Sequence, residues 1–150
     1  MRLIKRALLI GIIIFSINTY AQKKERNNMT NQEIVTKFLN GFNDSTQIKK
    51  SLDLLADDYK FKNPMVALNS KAEFIKLAQE IGAVITRINI INISENGNWV
   101  ATFYEFKSSI PGLKSNIASE WFKVENGIIK ESHLIYDTSE WRKFYAQMKE

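Results

Sequence analysis

Residues 119–137 read SEWFKVENGIIKESHLIYD, two runs of alternating apolar and polar residues joined through Glu125, Asn126 and Gly127. Alternation on both sides of an Asn-Gly pair predicts a β-hairpin. The same stretch holds the chain's single histidine, His133. Side chains on a strand point alternately to opposite faces, so the hairpin register decides whether Glu120 and His133 share a face. If Asn126 and Gly127 form a two-residue turn, Glu120 stands opposite His133 and Lys123 opposite Lys130, a repulsive cross-strand pair. If Glu125, Asn126 and Gly127 form a three-residue loop with Gly127 left-handed, Val124 meets Ile128, Ala118 meets Leu134 and Ile117 meets Ile135. Glu120 then faces Ser132, and His133 pairs with Ser119 on the far side. The second register avoids the lysine repulsion and is the expected one, which splits Glu120 from His133.

The strand period extends upstream. Val84 to Ser94, Trp99 to Ser108 and Lys114 to Val124 alternate in the same way, punctuated by Asn96-Gly97 and Pro111-Gly112, and Ile128 to Tyr136 completes a four-stranded antiparallel meander. Before it the period is helical. Thr30 and Glu33 make a capping box ahead of Ile34, Val35, Phe38, Leu39 and Phe42. Asn43-Asp44-Ser45 breaks that helix, and Ile48, Leu52 and Leu55 mark a short second one. Tyr59 to Asn63 alternates as a short strand that Pro64 ends. Ser70 and Glu73 make a second capping box ahead of a third helix carrying Phe74, Leu77, Ala78 and Ile81 and ending near Ile81, and Asp137 caps a last one carrying Trp141, Phe144, Tyr145 and Met148.

The N-terminus reads as an export signal rather than as part of the fold. Arg2, Lys5 and Arg6 precede the apolar run Ala7 to Ile17, and Thr19-Tyr20-Ala21 offers a small-residue cleavage site. The run is short for a membrane span, so no stable anchor is expected, and the protein is expected to be periplasmic or secreted. The expected organisation is a signal at 1–21, a charged linker at 22–29 and one domain at 30–150. Those three basic residues supply three of the five excess positive charges, leaving +2. A domain so nearly neutral, without aromatics interleaved among basic residues, is not expected to bind nucleic acid. The absence of cysteine excludes disulfides and thiol chemistry, and one histidine is too few for the usual zinc sets. No cofactor is expected.

Three stretches carry a family resemblance: Leu54 to Pro64 (LLADDYKFKNP), the hairpin from Trp121 to Ile129, and Tyr136-Asp137 ahead of an aromatic-rich helix. Together with the order helix, helix, short strand, helix, meander, they resemble the nuclear transport factor 2 fold, and within it the SnoaL-like branch that includes polyketide cyclases. Ketosteroid isomerases and limonene epoxide hydrolases are related. The resemblance implies an α+β cone: a curved antiparallel sheet wrapped around N-terminal helices, with a small-molecule pocket at its mouth and often a dimer through the sheet. It also exposes departures. The isomerases have an aspartate base where this chain has Asn63. The arginine and aspartate of the epoxide hydrolases align with Tyr104 and Phe106, and their second aspartate aligns with Leu134.

Choosing the concave face by that resemblance, alternation places Phe61, Asn63, Thr102, Tyr104, Phe106, Asn116, Ala118, Glu120, Ser132, Leu134 and Tyr136 around the pocket. Glu120 is the candidate general acid or base, with Asn63 and Tyr104 to polarise an oxygen; the rest are candidate ligand contacts. The alternative is that Glu120 is a structural hub held by Ser132, Asn116 or Tyr104. Phe103, Ile117, Trp121, Ile129 and Ile135 are expected on the convex face with His133, an apolar surface suited to a homodimer. Asp57 and Asp58 are expected to cap the turn between helix and strand. The expected function is binding of a small, largely apolar molecule, with a cofactor-free isomerase, cyclase or hydrolase as the alternative.

Overall fold

The computed structural model describes residues 29–113 and 115–147. The expected export signal, all of the expected linker but Met29, Lys114 at the start of the third expected meander strand and Met148 of the expected last helix lie outside these residues. The helices are α1 (Asn31–Asn40), a 3-10 turn at Gly41–Asn43, α2 (Ile48–Leu52), α3 (Lys71–Gly82) and α4 (Ser139–Gln147). The strands are β1 (Leu55–Lys62), β2 (Ala67–Leu68), β3 (Ile85–Asn96), β4 (Trp99–Ser108), β5 (Ser115–Glu125) and β6 (Ile128–Tyr136). They form one six-stranded sheet in the order β2-β1-β6-β5-β4-β3. The β3–β6 meander is antiparallel throughout, while β1 joins the edge of β6 in parallel and pairs with the short β2 beyond it. This is the α+β architecture expected, an open curved sheet holding helices in its concavity.

Local chemistry sets the helix starts. Thr30 Oγ1 accepts from the Glu33 N–H at 3.2 Å while Glu33 accepts from the Thr30 N–H at 2.7 Å, completing the capping box. At α3 the glutamate reaches one residue further back. Ser70 accepts from the Glu73 N–H, but Glu73 accepts from Asn69 rather than from Ser70. Asp137 accepts from the Ser139 N–H at 2.9 Å at the start of α4. Two side-chain contacts fasten the first helices to the sheet: Asn43 exchanges hydrogen bonds with the main chain of Ile88 at 2.8 and 2.6 Å, and Glu95 near the end of β3 accepts from the Gln32 N–H near the start of α1.

The apolar stripes of α1 and α3 close over the sheet. Ile34, Val35, Phe38 and Leu39 are buried against Tyr59, Val100, Phe122, Val124 and Ile129. Edge-on ring contacts of Phe38 with Phe122 (5.7 Å) and of Phe74 with Tyr59 and Phe61 (5.2 and 5.1 Å) lock the interface. Each contributes about 0.5–1.5 kcal/mol beyond the area it buries. Curvature comes from irregular registers at Leu55/Lys60, Ile85/Arg87, Ile90/Asn92 and Lys123/Val124.

Neither simple register describes the β5–β6 hairpin. Asn126 (φ 52°) and Gly127 (φ 75°) are both left-handed, the signature of a two-residue type I′ turn, so the expected three-residue loop is wrong. Glu125 pairs with Ile128 and Val124 with Ile129; Lys130 is then bulged out, and Lys123 pairs with Glu131. The bulge removes the lysine repulsion that argued against the two-residue turn. Downstream pairs are Phe122 with Ser132, Trp121 with His133, Glu120 with Leu134, Ser119 with Ile135 and Ala118 with Tyr136. The extra residue reverses the alternation within β6, so Glu120 and His133 still lie on opposite faces. It also brings Ile129 to the concave side, fully buried, where the convex face was expected.

Two further expectations need correction. Leu55 opens β1 rather than closing α2, so Asp57 and Asp58 are exposed strand residues, not turn caps. Asp58 instead accepts from Lys130 at 3.0 Å across the β1–β6 edge. No helix among the described residues is long and apolar enough to cross a membrane.

Candidate functional site

The concave face of the sheet and the inner sides of α1, α3 and α4 enclose a cavity of about 390 Å³. This lies toward the small end of ordinary ligand sites. Seven of the residues expected around a pocket line it: Phe61, Asn63, Tyr104, Phe106, Glu120, Leu134 and Tyr136. The other four stand behind or beside the wall. The Thr102 hydroxyl donates to the main-chain carbonyl of Glu120 at 2.8 Å. Ser132 is fully buried beneath the carboxylate, Ala118 is packed in the core, and Asn116 donates to the Asp137 carbonyl at 3.4 Å.

Glu120 is the one buried carboxylate of the wall, only 4 % exposed. The Ser132 hydroxyl donates to Oε1 at 2.7 Å and the Tyr104 hydroxyl to Oε2 at 2.8 Å. Behind Ser132, the fully buried Tyr59 hydroxyl sits 2.6 Å from its oxygen. Since Ser132 spends its proton on Glu120, Tyr59 is the donor in that pair, giving a directed chain from Tyr59 through Ser132 to the carboxylate. Three strands besides its own therefore hold Glu120: β1, β4 and β6. Burial raises the carboxyl from its ordinary 4.5 to about 7, against the opposing pull of the Ser132 and Tyr104 hydrogen bonds. Burial, followed by the nearby Glu120 charge, pushes the Tyr59 and Tyr104 hydroxyls well up, so both remain protonated donors. A carboxylate offers about four lone-pair directions, and two are engaged here.

Asn63 is committed to the turn at Pro64. Its Oδ1 accepts from the Met65 and Val66 N–H groups at 2.7 and 2.8 Å, which leaves its amide N–H groups as the chemistry it can offer to a ligand. Tyr136 donates weakly to Met65 Sδ at 3.5 Å. His133 lies outside the cavity, 2.6 Å from Glu131 and edge-on to Trp99.

The helical half of the wall was missing from the sequence reading, which assigned Phe38, Phe42, Phe74 and Trp141 only to apolar helix stripes. All four line the cavity. Trp141 Nε1 is a buried donor without a hydrogen-bond partner among the described residues. The signal for these residues was the stripe itself. A stripe, however, does not distinguish a side chain packed on the sheet from one facing a void.

No protein-family model and no curated protein matches this sequence. Similarity to solved structures is clear at low identity. A nuclear transport factor 2-like protein of unknown function from Cytophaga hutchinsonii shares 18% identity over 77% of this chain and 96% of that one, with a TM-score of 0.66. An LEH-like epoxide hydrolase of Mycobacterium tuberculosis shares 20% identity over 75% and 86%, with a TM-score of 0.63. A candidate polyketide cyclase of Xanthomonas campestris shares 20% identity over 75% and 96%, with a TM-score of 0.61. The chain thus has the nuclear transport factor 2-like fold, in the surroundings the sequence suggested; at such identities the likeness concerns the fold alone.

Proposed function

We propose that this chain is an exported binding protein that holds a small, largely apolar molecule in its cone, with Glu120 as the buried polar anchor. One observation carries the reading: a cavity of about 390 Å³ whose wall is mainly aliphatic and aromatic, with a single buried carboxylate. The amide N–H groups of Asn63 supply donors for an oxygen elsewhere on the same guest. Thermal unfolding with a panel of apolar small molecules tests it. A ligand at a hundred times its Kd stabilises by about 2.7 kcal/mol and raises the Tm by on the order of 10 °C. Leu134→Arg, which fills the cavity directly across the ladder from Glu120, removes the shift. A panel without any shift refutes the reading.

The position of the Glu120 carboxyl near pH 7 favours a second reading, a cofactor-free isomerase, cyclase or hydrolase in which Glu120 transfers the proton. The Tyr104 proton is already given to Glu120, so Tyr104 polarises a substrate oxygen only after releasing the carboxylate. That competition ranks catalysis second. Turnover that survives in Glu120→Gln would remove the mechanism. Export is read from residues 1–21, and an intact mass beginning at Gln22 in the exported fraction tests it. We also assign the convex face to a second copy of the chain.

A further inference from the structure

The cavity is charged in one sense only. Among the described residues that line it there is no lysine, arginine or histidine, while two carboxylates contribute, Glu120 at the buried end and the exposed Glu80 on α3. Among the described residues, the Arg142 guanidinium is close enough to act on the Tyr136 hydroxyl. It stands outside the wall, tied to the Pro64 carbonyl and the Thr138 hydroxyl at 3.1 Å each. Beside Glu120 the wall is aromatic: Phe106, Tyr136 and Trp141 are in mutual ring contact at 5.7, 6.1 and 6.4 Å, and Tyr104 reaches Phe106 at 6.3 Å. Ring faces attract cations, and a carboxylate with free lone-pair directions accepts from N–H groups. An anionic guest meets repulsion with no compensating cation, and in a cavity of low dielectric that repulsion is felt strongly.

We propose that the molecule bound is a small organic amine, its ammonium group held by Glu120 and its apolar body lying against the aromatic wall. The inference rests on the binding reading above and narrows it to a chemical class. No cationic residue lines the cavity among the described residues, and burial holds the Glu120 carboxyl near pH 7. The titratable groups around it are Tyr59 on β1, Tyr104 on β4 and Tyr136 on β6, all held protonated, so the guest supplies the compensating charge. Below pH 7 an arriving ammonium displaces the Glu120 proton to solvent, and one proton is released per molecule bound. Above pH 7 the carboxylate is already ionised and no release occurs.

The test compares 2-phenylethylamine, 2-phenylethanol and phenylacetate, which share a body and differ in charge, by calorimetric titration of the unmodified protein. At pH 8 the amine binds at least tenfold more tightly than the alcohol, and phenylacetate is weakest. From pH 8 to pH 6 the amine loses about tenfold in affinity as Glu120 gains its proton, while the alcohol is unaffected. In Glu120→Gln the advantage of the amine disappears and the alcohol still binds. If the alcohol or phenylacetate binds as tightly as the amine, the inference falls and the binding reading stands. If none of the three binds, both fall.

Discussion

Glu120 shows how one residue couples stability to pH. Its folded carboxyl titrates near 7 and its unfolded one near 4.5, so between those values the folded state holds the extra proton. Stability therefore falls as pH rises through this window and levels off above 7, by about 3 kcal/mol from this group. Glu120→Gln removes the slope, and a comparison of Tm values for the two proteins from pH 4.5 to 8 measures the difference. Ser132 is the other critical side chain, since it accepts from Tyr59 and donates to Glu120. Ser132→Ala leaves two buried groups short of a partner, for a loss of about 2–4 kcal/mol in urea unfolding. Tyr59→Phe keeps the Ser132 to Glu120 bond and costs less; the reverse order would contradict the directed chain. Glu120 was visible in the sequence as a carboxylate on an apolar face, and its partners Ser132 and Tyr104 were among the candidates. The Tyr59 link was not, because it depends on the parallel docking of β1 against β6, a contact between residues 73 positions apart.

At the scale of elements, the hairpin at Asn126-Gly127 is the sensitive joint. Both turn residues are left-handed, and a β-carbon at Gly127 costs about 1–2 kcal/mol. Gly82, the last residue of α3, has open space for a methyl group and ordinary helical geometry. Gly82→Ala is expected to be neutral or to stabilise by about 0.5–1 kcal/mol, and Gly127→Ala to destabilise; paired denaturation curves check the contrast. The turn was legible as an Asn-Gly pair, but its length was misjudged because the lysine repulsion was weighed without a bulge. Ejecting Lys130 lets it reach Asp58 on the neighbouring strand, a partner that the hairpin sequence alone does not contain. Likewise Asn43 reads as a helix breaker, whereas its exchange with the Ile88 main chain pins the helical hairpin to the sheet.

For the whole molecule, the convex face is the outstanding feature. Phe103, Ile117, Trp121 and Ile135 are 44 %, 47 %, 47 % and 61 % exposed and surround Ser119 on adjacent strands. A contiguous apolar patch of this kind marks an association surface. With a second copy as the occupant, light scattering gives a dimer for the unmodified protein and a monomer for Trp121→Glu, with unchanged circular dichroism. A monomeric unmodified protein would exclude this arrangement. The meander order, the N-terminal caps Thr30, Ser70 and Asp137 and the concave sheet residues other than Ile129 were readable, since each follows from periodicity or from a local hydrogen bond.

By itself the sequence determined the fold class and the four long strands; the expected separation of Glu120 from His133 holds because the two-residue turn plus the bulge at Lys130 differs from the expected register by an even step, and alternation along a strand survives an even change. Only the tertiary structure decided the hairpin register, the parallel β1–β6 pairing and the helical half of the cavity wall. These rest on contacts between segments far apart in the chain, where a bulge, a void or a crossing salt bridge costs little locally and leaves no periodic trace. The electrostatics of the site belong to the same class: burial, against the pull of two hydrogen bonds, raises the Glu120 carboxyl to about 7, and burial is a property of everything packed around it.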